Sequence, residues 1–139
     1  MPSTIKQFYE WLTREGPSDY QLDLGEDEML VRLPVGGGRW QTVRINIMES
    51  ANAEFSIVRL QSRACVASDY RIVSELLEAN ARSTWGGFVL NRSVTPNVID
   101  VTCSFVAEHT GPHNLLPALQ RIGGLADQVE ASVTGKDEF

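Results

Sequence analysis

The sequence predicts an α+β fold, in which helices pack on an antiparallel β-sheet in the order α-β-β-β-β-α-β-β-α. In the first half, a short helical pattern precedes four segments that alternate apolar and polar residues, which is typical of half-buried antiparallel strands. In the second half, amphipathic stretches at 68–81 and 115–133 enclose two strand-like runs at 85–91 and 97–105. A length of 139 residues predicts one domain, spanning 1–139.

The first predicted helix covers residues 4–15. Thr4 and Gln7 occupy the positions of a capping box in its Gln form, and apolar residues recur at helical spacing after Thr4. Gly16-Pro17 is predicted to end the helix, because Pro17 cannot continue the hydrogen-bond ladder.

Four strands are predicted in the first half, at 20–24, 29–33, 40–48 and 55–63. Each alternates apolar and polar residues, and sequential hairpins are the simplest connection between them. The glycine triplet at 36–38 is followed by a strand rather than by a helix N-terminus. It therefore predicts a hairpin turn and not a phosphate-binding loop.

Two further helices are predicted in the second half. The first is expected to begin near Ser68 or Asp69 and to bury an apolar stripe. That stripe consists of Ile72, Val73, Leu76 and Leu77. The last helix is expected to follow Asn114 as its N-cap, with Pro117 in its first turn, where a missing N–H costs little. The adjacent glycines at 123–124 predict either close backbone packing or a bend.

The charge composition disfavours direct nucleic-acid binding. Twelve basic and 18 acidic residues give a net charge of −6, which repels phosphate backbones unless a local basic face exists. Six arginines are candidates for such a face, although solvated strand and hairpin surface is the favoured interpretation. They are Arg32, Arg39, Arg44, Arg59, Arg63 and Arg71.

The expected location is the cytoplasm. The N-terminal residues show no apolar segment of a signal peptide, and no apolar run approaches the roughly 20 residues that span a bilayer. Cys65 and Cys103 lie in or beside apolar runs, where a free thiol behaves as a small hydrophobic group. Both cysteines are therefore predicted to be reduced, and no membrane contact is expected.

The candidate metal ligands and nucleophiles form no recognisable motif. His109 and His113 have a ligand-like spacing, but Cys65 and Cys103 are far apart and have no partner cysteine nearby. Cys103 alternates with apolar residues and is therefore predicted to be a buried, unreactive thiol. The sequence predicts no enzymatic activity, no metal site and no cofactor.

The best carboxylates for acid–base chemistry are Glu49, Glu54 and Asp100, and none has a sequence partner that marks a site. Asp100 is interpreted as an outward strand position or as a device that protects a sheet edge. A small enzyme that uses His109 or His113 with a nearby carboxylate is retained as a third functional hypothesis.

Large apolar residues are numerous for so small a core. Most are predicted to be buried, and any that stay exposed would mark an interaction surface. The candidates for a protein-binding surface are Trp40, Met48, Phe55 and Ile57. Each of these four residues is equally compatible with a core position.

The second half also carries a combination of short motifs. Residues 76–80 end a helix with a Leu-x-x-Asn pattern, and residues 85–90 form a strand with a Gly-aromatic start. Residues 98–101 supply a return strand, while 115–119 and 126–127 belong to a long C-terminal helix with an Ala-Asp step. This combination resembles the YbjN-like family of small bacterial proteins, which is related in fold to the type III secretion chaperones.

The resemblance implies an α+β sandwich, usually a homodimer, that binds other proteins rather than catalysing a reaction. The related chaperones hold an extended client segment through apolar patches and sheet edges. By analogy with these chaperones, dimerisation is expected through the second helix, with Ile72, Leu76 and Leu77 at the interface.

The predicted function is a non-enzymatic, chaperone-like adaptor or regulator whose partner is a client protein. A client segment is expected to add along a strand edge and to place its apolar side chains against exposed rings. The alternative is a sensory or regulatory domain that binds a small ligand in an apolar pocket between the sheet and the helices, which predicts an enclosed cavity.

Overall fold

A computed structural model describes residues 4–49, 54–83 and 85–134. Within these ranges the predicted α+β fold and element order are confirmed. The elements are α1 (Ile5–Glu15), β1 (Gln21–Leu24), β2 (Glu28–Gly36), β3 (Arg39–Glu49), β4 (Ser56–Val66), α2 (Tyr70–Ala79), β5 (Gly87–Asn91), β6 (Val98–Val106) and α3 (Pro112–Thr134).

The six strands form one antiparallel sheet in the order β1-β2-β3-β4-β6-β5. The β5–β6 hairpin joins the sheet with β6 against β4, so β1 and β5 are the two edges. The register between β3 and β4 places Arg44 opposite Gln61 and Ile45 opposite Leu60. Because side chains alternate along a strand, this register decides which residues share a face.

The core lies between one face of the sheet and helices α1 and α3. Met29, Ile45 and Leu60 from the sheet and Leu119 and Ile122 from α3 have no solvent-accessible surface. Full burial of a large apolar side chain stabilises the fold by about 1.5–3 kcal/mol. Most of the stability is therefore expected to come from this face.

The capping box of α1 is confirmed. The Gln7 N–H donates to Thr4 Oγ1 at 3.2 Å, and the Thr4 N–H donates to Gln7 Oε1 at 3.1 Å. This reciprocal pair satisfies two backbone donors that the helix leaves without internal partners. Phe8, Trp11 and Leu12 are buried and attach α1 to the core.

The glycine triplet forms the turn between β2 and β3, as predicted. Gly36, Gly37 and Gly38 have φ angles of 103°, 61° and 75°, a region that side chains with a Cβ rarely adopt. Just beyond the turn, Arg39 is tied to α3 by Asp127, with Nε–Oδ1 at 3.0 Å and Nη2–Oδ2 at 2.9 Å. This two-point ion pair fixes the hairpin over the helix.

Helix α3 begins three residues before the predicted start at 115. Its first residue is Pro112, at a position where a missing N–H is tolerated. Asn114 is not the N-cap but the third helical residue, and its Oδ1 accepts a hydrogen bond from the Gly111 N–H at 2.7 Å. The prediction for Pro117 is also wrong, because this residue is sixth in the helix and lies beyond the first turn.

The two adjacent glycines of α3 differ in their surroundings. A Cβ on Gly123 would lie 3.3 Å from Cδ1 of Leu33 in β2, whereas a Cβ on Gly124 would meet nothing within 4 Å. Of the two predicted explanations, close packing therefore applies to Gly123. The absent side chain lets α3 approach the sheet.

Candidate functional site

The two faces of the sheet differ in what covers them. Helices α1 and α3 pack against the face that carries Val31, Val43 and Val101. The opposite face, called the open sheet face below, carries mostly polar side chains and two clefts that open to solvent. Its central residues are Leu30, Arg32, Thr42, Arg44, Asn46, Arg59, Gln61, Arg63, Asp100 and Thr102.

The first cleft has a volume of about 220 Å³ and lies over β2, β3, β4 and β6. Asp100 forms part of its floor and is only 3% exposed. Its Oδ2 accepts hydrogen bonds from Gln61 Nε2 at 2.6 Å and from Asn91 Nδ2 at 2.9 Å. Its Oδ1 lies 4.0 Å from Arg63 Nε, so the buried carboxylate is held by an amide pair and a cation.

The interpretation of Asp100 as an edge device is wrong. The outward orientation predicted for it is correct, but β6 is an interior strand between β4 and β5. The hydrogen bonds from Gln61 and Asn91 link three neighbouring strands at this point. The carboxylate therefore organises the open sheet face.

The second cleft has a volume of about 490 Å³ and is lined by Arg44, Arg59 and Arg92, among other residues. Arg44 is paired with Glu28, whose Oε2 lies 2.9 Å from its Nε. Arg59 is half-buried in β4, and Arg92 is exposed just after β5. Neither Arg59 nor Arg92 makes a hydrogen bond or ion pair with any residue in the described ranges, and Arg59 Nε is buried without an acceptor there.

The open sheet face is basic although the chain is acidic. Among the described strand residues that the register places on this face, together with Arg92 of the second cleft, five arginines stand against three carboxylates, a balance of +2. The arginines are Arg32, Arg44, Arg59, Arg63 and Arg92, and the carboxylates are Asp23, Glu28 and Asp100. Because the whole chain carries −6, the rest of it carries −8. Four of the six arginines considered from the sequence lie on this face, and two of them, Arg32 and Arg44, are exposed strand residues.

The remaining two arginines of that set lie elsewhere. Arg39 is bonded to Asp127 of α3, and Arg71 is an exposed residue of α2. Arg92 was not part of the predicted set, because it lies in a loop where no periodic pattern identifies its face. Alternation with buried residues does identify Arg59 and Arg63, which flank the buried Leu60 and Ser62 in β4.

The four predicted protein-binding residues divide into two groups. Met48 and Ile57 are direct partners across β3 and β4, and Phe55 precedes β4 by one residue. Met48 and Phe55 are 38% and 39% exposed, whereas Ile57 is half-buried. Trp40 is half-buried at the other end of β3. Eight residues separate it from Met48, which is roughly 26 Å along an extended strand at 3.3 Å per residue. Its ring lies 5.0 Å from the Arg32 guanidinium, a cation–π contact.

Helix α2 occupies the predicted stretch and follows one of its two predicted N-caps, but it is not buried. It is capped by Asp69, whose Oδ1 accepts from the Arg71 N–H at 2.9 Å, and none of its residues is fully buried. Of the predicted interface residues, Ile72 and Leu76 are half-buried against the core, while Leu77 is 41% exposed. The stripe predicted to be buried is therefore half-buried, apart from the exposed Leu77, and α2 packs mainly against β5 at the end of the sheet.

The outer edge of β5 is occupied by Asn80, the C-cap of α2. Its Nδ2 donates to the carbonyl of Phe88 at 2.8 Å, and its Oδ1 accepts from the Phe88 N–H at 2.7 Å. The side-chain amide thus makes the two bonds that an added strand would make at this residue.

The cysteines and histidines that were considered as metal ligands differ in burial. Cys65 and Cys103 are free and buried in the core, and burial raises the pKa of both thiols, that of Cys103 to about 11. His109 and His113 are exposed. In the part of the chain that the structure describes, no three His, Cys, Asp or Glu side chains are grouped as metal ligands.

The carboxylates Glu49 and Glu54 are both exposed and flank residues outside the described ranges. His113 lines a cleft between α3 and β6 together with Trp85, Phe105 and Arg121. Among the described residues that line this cleft there is no carboxylate. The third hypothesis, an enzyme with a histidine–carboxylate pair, therefore gains no support from it.

The architecture defines a class of protein, namely an α+β domain whose antiparallel sheet has one face covered by helices. No protein-family model matches the sequence, and no curated protein matches it. Among solved structures, the chain is similar to YbjN from E. coli, a candidate transcription regulator, with a TM-score of 0.53 and 14% sequence identity. The likeness covers 92% of this chain and 90% of YbjN. It confirms the YbjN-like fold that the short motifs predicted.

None of the described helices combines the length and the apolar character that crossing a membrane requires.

Proposed function

We propose that this chain is a non-enzymatic binding protein, an adaptor or regulator, that holds a segment of a partner protein on its open sheet face. One observation carries the proposal: a six-stranded sheet is sealed by helices on one face, while the other face is lined by arginines and two clefts. The description of YbjN as a candidate regulator supports a binding or regulatory role.

The proposed binding mode differs from strand addition at an edge. The amide of Asn80 already bonds the outer backbone groups of Phe88 in β5. The other edge strand, β1, has only four residues. The open sheet face offers a larger surface than either edge, and exposed Met48 and Phe55 at its margin offer apolar contacts.

We propose homodimerisation through α2 as a separate part of this account. Leu77 and Tyr70 are 41% and 86% exposed on this helix, and half-buried Ile72 and Leu76 lie beside them. Exposed apolar residues on one helix are typical of a helix that packs against another copy. Leu77→Glu is expected to convert a dimer into a monomer in sedimentation velocity experiments, whereas Glu78→Gln is expected to leave it unchanged.

The small-ligand alternative required an apolar cavity between the sheet and the helices. The centre of that space is filled by Met29, Leu60, Leu119 and Ile122, which have no accessible surface, whereas the cleft between α3 and β6 lies at its margin. The alternative stays a prediction, and a rise in melting temperature with a cellular metabolite would favour it.

Site-specific photocrosslinking tests the proposed surface. A photoreactive amino acid replaces exposed Val89, on the open sheet face, or exposed Gln128, on the outside of α3. In cells that make this protein, crosslinks to a second polypeptide are expected from position 89 and not from position 128. Equal crosslinking at both positions, or none at 89, would contradict the proposal.

A further inference from the structure

We infer that the open sheet face recognises an acidic segment of its partner polypeptide, and that Arg59 and Arg92 each bind a carboxylate of that segment. This inference rests on the proposed function and adds the chemistry of the partner. It follows from three features: two arginines of the second cleft that have no partner among the described residues, a charge on the open sheet face opposite to that of the chain, and apolar residues at the ends of that face.

The unpaired cations are the first feature. Arg59 and Arg92 line the same cleft, and neither has a hydrogen bond or ion pair with a described residue. Arg44 lines the same cleft and is paired with Glu28 at 2.9 Å. The cleft therefore contains one guanidinium with a carboxylate partner and two without a described partner. A guanidinium presents a rigid set of N–H donors that matches a carboxylate, so each of these two arginines offers an anion-binding group to the cleft.

The charge distribution is the second feature. The open sheet face has a balance of +2, against −8 for the rest of the chain. An acidic segment is attracted to this face and repelled by the remaining surface, which raises the association rate and excludes other docking positions. A basic segment would be directed away from the face.

The composition of the face favours a polypeptide over a nucleic acid. Glu28 and Asp100 lie among the arginines and would repel a continuous phosphate backbone. Met48 and Ile57 lie at one end of the face and Trp40 at the other, where they can contact apolar side chains. A polypeptide that alternates acidic and apolar side chains matches both kinds of contact.

The test measures binding of a fluorescein-labelled peptide of alternating glutamate and valine by fluorescence anisotropy. The double variant Arg59→Gln/Arg92→Gln is compared with Arg14→Gln/Arg71→Gln, which removes the same charge from exposed positions on α1 and α2. The face variant is expected to raise the Kd roughly tenfold or more, because charge-assisted hydrogen bonds are lost. The control is expected to change the Kd by less than about twofold.

Specific outcomes would overturn the inference. These are the absence of saturable binding, equal weakening by both double variants, and equal affinity for a peptide with glutamine in place of glutamate. Tighter binding of single-stranded DNA through the same arginines would assign the face to nucleic acid instead. Because Arg92 is exposed, Arg92→Gln alone gives a second readout that does not depend on the half-buried Arg59.

The two proposals fail in different ways. If position 89 crosslinks a partner whose contacted segment lacks acidic residues, the inference about charge is wrong and the binding surface stands. If position 89 crosslinks no partner, the proposed function is wrong whatever the peptide does.

Discussion

The two faces of the sheet share one set of backbone hydrogen bonds and differ in how their side chains are selected. Along β4, Val58, Leu60 and Ser62 point toward the helices and are buried, whereas Arg59 and Arg63 point to the open sheet face. The covered face is specified by volume and apolar contact, and the open face by charge. Substitutions at neighbouring positions of one strand are therefore expected to have different effects, on stability at the covered face and on binding at the open sheet face.

The largest expected effect is on the covered face. Leu60→Ala removes a side chain with no accessible surface at the centre of the sheet and is expected to lower the free energy of unfolding by about 2–5 kcal/mol. The neighbouring substitution Arg59→Ala is expected to lower it by less than about 1 kcal/mol. Urea denaturation measures both values, and equal losses would contradict the division between the faces.

Asp100 is the exception on the open face, because it is buried there. Asp100→Ala leaves the donors of Gln61 and Asn91 without their acceptor and is expected to cost about 1–3 kcal/mol. The matched control is Glu28→Ala, which removes an exposed ion pair with Arg44 and is expected to cost no more than about 1 kcal/mol. If Glu28→Ala lowered the free energy of unfolding as much as Asp100→Ala, burial would not explain the difference expected between these two carboxylates.

The edge of the sheet provides the next test. Asn80→Ala removes two hydrogen bonds to Phe88 and is expected to cost about 1–2 kcal/mol. It also frees the edge of β5, so an increase in self-association is expected in sedimentation velocity. Glu78→Ala, an exposed substitution in the same helix, serves as the control, and equal self-association of the two variants would refute the role of Asn80.

The last expected effect is absent at neutral pH and is confined to alkaline pH. The pKa of Cys103 is raised by burial from 9.0 to about 11, so between these values the unfolded chain loses its thiol proton while the native protein keeps it. Stability is therefore unaffected at neutral pH and falls as the pH rises through this window. Cys103→Ala is expected to flatten that fall in urea denaturation between pH 9 and 11. An unchanged slope would show that the thiol is not responsible.

The alternation of residues predicted the faces of β3 and β4 because one side of each strand had to be apolar. Val43 and Ile45 on the covered side and Thr42 and Arg44 on the open side follow from period two alone. The spacing within β3 also separates Trp40 from Met48 by most of the strand length, so one compact patch of both was not available.

The pairing of strands that are distant in sequence could not be predicted from local sequence patterns. The insertion of β6 between β4 and β5 made Asp100 an interior residue, and nothing in the neighbourhood of Asp100 encodes this pairing. The same pairing brings Arg92 and Arg59 to the lining of one cleft, although the two residues are far apart in sequence. The sequence allowed both a buried stripe and an exposed interface on α2, because an apolar stripe has the same periodicity whether it faces a core or another copy.

The most direct test of the binding surface is a titration of the isotope-labelled protein with the acidic peptide, followed by NMR of side-chain N–H groups. The signals of Arg59 Nε and of the Asn46 and Asn91 amides, all around the second cleft, are expected to shift progressively until saturation. The side-chain amide of Gln128 on α3 is expected to stay unchanged. Shifts confined to α2 and α3, with the cleft signals unmoved, would contradict the assignment of binding to the open sheet face.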